Sequence, residues 1–263
     1  MTLSYPEITL LVTHFNRSSS LLRLLESLEV LGLQFGEIVV SDDGSKEPHA
    51  QKLDELEERF GITLLKTEKN GGLGANLNRG SRAVKTPYTL YVQEDFVPQA
   101  EFVEALDTAF SFLKRNLTID IARFYAYFKY PFLTPMEKGF SLMEFNPNFS
   151  GYKKFYMYSD HPHLRRTNFE EKFGPYKEGL SGDMTEYDMM ISFLAKRGKA
   201  IYYDNFQNLF EQCNSKDEPS TMRRNFLRES NNVFIASVRH LYRIIKMNLD
   251  YRLAAKNIGL QIK

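Results

Sequence analysis

The sequence predicts an α/β protein with a mostly parallel central sheet flanked by helices and a helical extension at the C-terminal end. Three observations carry this. Short apolar runs alternate with helix-period segments up to about residue 100, the turns between them are short, and each run ends in a polar cluster. Such alternation winds a right-handed parallel sheet with helices on both faces. Polar clusters that follow parallel strands then gather along one edge, where open α/β sheets bind ligands.

Residues 8–12 form a continuous apolar run that stops at Thr13, His14, Phe15, Asn16 and Arg17, a buried strand feeding a polar and aromatic loop. Serines 18–20 can cap the next helix, in which Leu21, Leu22, Leu24, Leu25 and Leu28 recur at three- and four-residue spacing. A second strand over 38–41 ends in Asp42, Asp43, Gly44 and Ser45. Leu53, Leu56 and Phe60 share a helix face, and 62–65 is a third strand. Asn70 and the glycines at 71, 72 and 74 open a helix reaching about Val84, where glycine permits close backbone approach and a helix start offers N–H groups to an anion. The spacing is neither that of a P-loop nor that of a dinucleotide fingerprint. A fourth strand over 88–92 runs into Gln93, Glu94 and Asp95 before Pro98.

Beyond Pro98 the alternation loosens. An amphipathic helix is expected over 102–113, an aromatic-rich strand over 119–128 and an irregular loop over 136–151. Tyr125, Tyr127, Phe128 and Tyr130 either pack on the sheet or stack on a sugar. His161, Pro162 and His163 read as a surface turn, since no spaced third ligand accompanies them. A glycine loop leads through Asp183, Glu186 and Asp188 into a helix with Met189, Met190, Phe193 and Leu194, and then a strand over 200–203.

Lysine plus arginine (34) balances aspartate plus glutamate (33), so no bulk field attracts nucleic acid. One cysteine, Cys213, excludes a disulfide framework and fits a reducing compartment. No secretory leader and no apolar run of ~18 residues is visible, so the expected location is the cytoplasm.

The segments VTHFNR (12–17), SDDGS (41–45), NGGLGANLNRG (70–80) and QED (93–95) resemble, in order and spacing, the nucleotide-sugar half of family 2 glycosyltransferases of the GT-A (Rossmann-like) fold. The resemblance implies Thr13 and Phe15 beside a nucleobase, Asp42 or Asp43 accepting from its edge, Asn70 bordering the diphosphate and Arg79 touching the diphosphate or sugar. It implies Asp95, supported by Glu94, on Mg²⁺ or Mn²⁺, although Gln93 stands where the first acid of the metal motif is usual. A UDP-sugar is the favoured donor. Thr185, Glu186, Tyr187 and Asp188 resemble the family's acid pair at a helix start, which implies Glu186 as the base, with Asp183 as substitute. The downstream metal histidine is missing from 208–213, which leaves Glu211 or Gln212 to serve.

The resemblance thus implies an inverting transferase with a glycan or lipid-linked acceptor. An acceptor hydroxyl is a poor nucleophile, and a carboxylate in reach can take its proton. With no tryptophan the processive Gln-x-x-Arg-Trp signature is absent, so one sugar per encounter is expected. A sugar nucleotidyltransferase would need a basic glycine-rich N-terminal loop, and a non-catalytic nucleotide- or glycan-binding protein of the same fold is the alternative. The chain divides into a donor half (1–100), an acceptor and base half of the same domain (101–215) and a basic amphipathic extension (216–263). In that extension Phe234, Val238, Leu241, Ile245 and Leu249 recur at helical spacing opposite Arg239, Arg243 and Lys246. The stripe is expected to pack on the domain with the basic face in solvent; the other placement is peripheral contact with the inner membrane face.

Overall fold

In the computed structural model, residues 2–214, 218 and 233–259 are described. The first strands are β1 (Leu3–His14), β2 (Leu33–Asp42), β3 (Thr63–Leu65) and β4 (Tyr88–Gln93), and the first helices α1 (Ser18–Val30), α2 (His49–Phe60) and α3 (Gly72–Ala83). Then follow β5 (Phe96–Pro98), α4 (Glu101–Arg115), β6 (Ile121–Arg123), β7 (Leu133–Pro135), β8 (Phe140–Met143), β9 (His163–Arg166), α5 (Phe169–Phe173), α6 (Gly182–Ala195), β10 (Ala200–Tyr203), β11 (Phe210–Gln212) and α7 (Val233–Asn257).

Nine strands form one sheet in the order β3-β2-β1-β4-β9-β6-β10-β8-β7. The first four are parallel, β9 runs against both β4 and β6, and β6 is again parallel to β10. Side chains alternate across the sheet. Ile8, Leu10 and Val12 of β1 face a core shared with α1, α2 and α4, whereas Leu11 faces a second core shared with α3, α5 and α6.

The expected strand over 119–128 is cut short at Arg123. Its buried guanidinium donates to the carbonyls of Tyr125 and Tyr156, and the chain leaves the ladder. The loop expected over 136–151 contains β8, paired with β7. Helix α1 takes its cap from afar: Glu218 accepts the N–H groups of Ser19 and Ser20, both at 2.8 Å, a role expected of the helix's own serines.

The orientation of α7 reverses the expectation. Val238, Leu241, Ile245 and Leu249 are each more than half exposed, and the domain instead receives Met247, Tyr251, Ala254 and Ala255. Polar anchors decide this. Asp250 accepts from Tyr187 Oη at 2.6 Å and pairs with Lys246, and Arg243 donates to Tyr152 Oη at 3.1 Å. Phe234 belongs to the same expected stripe, but its side chain lies outside the described residues.

Candidate active site

Chain order and sheet order diverge at β1, since β2 and β3 lie on one side of it and β4 on the other. The ends of β1 and β4 therefore flank a switch-point crevice. Thr13 is buried there and shares a 2.8 Å hydrogen bond with Tyr91 Oη, and Phe15 is half-buried just beyond.

The aspartates of β2 are spent inside the protein. Asp42 meets His14 Nδ1 at 2.8 Å and accepts from the Ser45 hydroxyl at 2.5 Å and the Ser45 N–H at 3.0 Å. Burial pushes its carboxyl up, but these hydrogen bonds outweigh burial and hold it below the usual range. Asp43 accepts the N–H groups of Gly71 at 3.1 Å and Gly72 at 2.8 Å, so it occupies donors that the glycine loop offers to an anion. Gly72 adopts φ +82°, which favours glycine. Asn70 is exposed and accepts from the same Gly72 N–H at 3.1 Å. Arg79 buttresses the end of β2, donating to Ser41 Oγ at 3.0 Å and to the Asp42 carbonyl at 2.8 Å.

At the end of β4, Glu94 and Asp95 are both buried. Arg17 Nη1 faces the pair at 3.5 and 3.4 Å, beyond hydrogen-bond length for good charge-assisted contacts. Burial, and next the Asp95 charge, push Glu94 up to about 8. Strand β11 pairs with β5 and brings Gln212 opposite Phe96, from where its Nε2 donates to Asp95 Oδ2 at 3.0 Å. Glu211, the other candidate, is exposed. No group of three or more histidine, cysteine or acidic side chains forms a metal site among the described residues. The two carboxylates nevertheless fit a hard divalent cation, which needs few protein oxygens. Gln212 presents its N–H₂ to Asp95 and so positions that carboxylate.

The third part of the site lies on α6. Asp183 is in its first turn, on the helix and not on the glycine loop, and Glu186 follows one turn later. The Asp160 backbone N–H favours the charged form of Glu186. Burial, and next the neighbouring Asp160 charge, push Glu186 up to about 8. Asp160 accepts from Tyr158 Oη at 2.7 Å through Oδ1, while the buried Oδ2 has no partner among the described residues. Burial also raises its carboxyl. Asp160 escaped the sequence reading because 161–163 were read as a surface turn and no strand was expected after them. Since β9 is reversed, the residues before it reach the same edge as the ends of parallel strands.

Asp183 and Glu186 line a cavity of about 860 Å³ to which α7 contributes one wall and Tyr127, Phe128 and Tyr130 another. Tyr125 instead packs against Phe96 and His161. Tyr127 Oη donates to Gln212 Oε1 at 3.3 Å, which joins this cavity to the acidic edge. The two histidines form no surface turn. His163 is fully buried on β9, and His161 packs edge-on against Phe96 and Tyr127; burial, and next nearby arginines, lower both below their ordinary value.

The family model described as Glycosyl transferase family 2 matches residues 9–174. A protein of Haemophilus influenzae described as an uncharacterized glycosyltransferase is 30% identical over 94 residues, which is 35% of this chain and 31% of that relative. The chain therefore spans about a third of the curated relative it matches. Among solved structures, S. aureus TarS 1–349 in complex with UDP-GlcNAc aligns with TM-score 0.59 and 15% identity over 91% of this chain and 72% of that one. The UDP complex of the same fragment gives TM-score 0.57 and 18% identity over 80% and 61%. At these identities the likeness to TarS is one of fold.

Proposed function

The chain belongs to glycosyl transferase family 2, and from that premise we propose that it moves one sugar from a nucleoside diphosphate donor to an acceptor hydroxyl with inversion. The observation that carries this reading is the joining of two acidic centres. Asp95 and Glu94 sit at the crevice edge, Glu186 sits in the adjoining cavity, and Gln212 and Tyr127 bridge the two regions. The donor occupies the crevice, with Phe15 against the base and Thr13 nearby. The UDP and UDP-GlcNAc complexes of the TarS fold favour a UDP-sugar. Asp42 and Asp43 act there chiefly by fixing the loop, with Asn70 and Arg79 beside the diphosphate.

Asp95 and Glu94 would hold Mg²⁺ or Mn²⁺, which supplies charge stabilisation for the departing diphosphate. Glu186 takes the proton of the acceptor hydroxyl as that oxygen attacks the anomeric carbon. A carboxyl raised toward neutrality binds that proton more strongly than an ordinary one, which suits a base working near pH 7. Asp183 lies one helical turn away on the same wall. A single displacement needs no covalent intermediate, and the acceptor, a glycan or lipid-linked glycan, lies against the aromatic wall of the cavity.

Calorimetry with UDP, with and without Mn²⁺, followed by turnover of a UDP-sugar panel over a broad acceptor panel, tests this reading. Metal-strengthened binding with turnover supports it. Binding without turnover by the intact chain favours a non-catalytic binder.

A further inference from the structure

Helix α7 has two faces of different character. The inner face holds the polar anchors and the small residues that pack on the domain. Outward, Val238, Leu241, Tyr242, Ile245, Leu249 and Leu253 form one stripe, each between 51% and 61% exposed. From 238 to 253 the stripe runs about 22 Å at helical rise. No helix among the described residues is long and apolar enough to cross a membrane. A lone exposed leucine needs no explanation, but a continuous apolar stripe of this length points to a partner surface.

Two observations identify the occupant. The first is charge. Helix α7 carries Arg239, Arg243, Lys246, Arg252 and Lys256 against the single acid Asp250, which is spent on Lys246 and Tyr187. Arg252 and Lys256 are exposed on the same side as Leu249 and Leu253. An apolar stripe flanked by Arg252 and Lys256 suits an anionic lipid surface, where the stripe enters the headgroup boundary and these cations meet phosphates. The second is continuity. Val238 and Tyr242 belong both to the exposed stripe and to the lining of the cavity that holds Glu186. Whatever covers the stripe therefore borders that cavity.

We propose that α7 lies on an anionic membrane surface through this stripe and presents the adjoining cavity to acceptors anchored in that surface. The acceptor part of the proposal rests on the reading of the cavity given above; membrane contact itself does not. A membrane-facing α7 explains why this apolar stripe is turned away from the domain.

The test is flotation of the full chain with phosphatidylcholine vesicles and with vesicles that also contain phosphatidylglycerol, at low and high salt. Ile245→Glu/Leu249→Glu serves as the variant, since neither residue lines the cavity. Wild type should float with the anionic vesicles at low salt and less at high salt. The variant should lose about tenfold or more of that partition while binding UDP as wild type does. Absence of flotation at low salt, or undiminished flotation of the variant, overturns the proposal. So does sedimentation showing a wild-type dimer that the variant dissolves, which would assign the stripe to a second copy. Undiminished transfer by Glu186→Gln would overturn the reading of the cavity and leave the flotation result standing.

Discussion

Gln212 donates to Asp95 across 117 residues of sequence, because the short ladder between β5 and β11 sets the two side by side. The contact fixes one carboxylate of the acidic edge and, through Tyr127, ties that edge to the cavity. Gln212→Ala should weaken Mn²⁺ binding in the presence of UDP by about tenfold or more, as loss of an outer partner of a metal ligand does. Calorimetric titration of Mn²⁺ at saturating UDP checks it, with UDP affinity in the absence of metal unchanged.

Glu94 gives the folded protein a distinct pH dependence. Its folded value, about 8, lies above its ordinary 4.5, so the folded state holds the proton over a range where the unfolded chain has lost it. Stability from this group therefore falls as pH rises from about 4.5 to about 8 and is level above. Glu94→Gln should flatten that slope in urea titrations across the window. Because a cation competes with the proton, UDP with Mn²⁺ should raise Tm more at pH 8 than at pH 6.

With Glu186 as the proposed base, the rate profile should follow the pair it forms with Asp160. A base must be ionised to act, so kcat/KM should rise with pH through a limb well above the ordinary carboxylate range and then level. Asp160→Asn should move the limb to lower pH, since the Asp160 charge is one cause of the raised value. A limb that stays in place would remove Asp160 from the site's electrostatics.

Helix α3 is held against the segment leading to α6 by the absence of a side chain at Gly74. A Cβ there would come within 2.3 Å of the Lys177 carbonyl oxygen. Gly74→Ala should cost about 1–3 kcal/mol of stability, the range of overpacking, read from urea denaturation. Asp43→Ala should cost about 1 kcal/mol through the lost cap on Gly71 and Gly72.

The first four strands were legible because each is an apolar run of strand length bounded by a polar cluster, and alternation with helices implies parallel pairing. The reversal of β9 was not. Nothing local in HLRR marks direction, and its pairing with β4 and β6 depends on the long excursion through β7 and β8. The strand itself was read as a surface turn, and that is what hides Asp160 from a sequence pattern. The outward stripe of α7 was hidden for a related reason. Periodicity separates two faces of a helix but does not say which is turned inward, and here Tyr152 and Tyr187 supply polar anchors that the periodicity does not show. The roles of Asp42 and Asp43 within the fold were only partly legible, since Ser45 is a local partner of Asp42 but His14 lies on β1 and Gly71 and Gly72 lie at the start of α3.

Glu186 is the proposed base of the sugar transfer. Turnover of a UDP-sugar by the intact chain and by Glu186→Gln, at pH 8 with Mn²⁺, tests it most directly, with the anomeric configuration of the product read by NMR. An inverted product is expected, with a rate lowered about 10²- to 10⁴-fold in the variant and UDP affinity preserved. A variant that turns over at the wild-type rate, or a product of retained configuration, would contradict it.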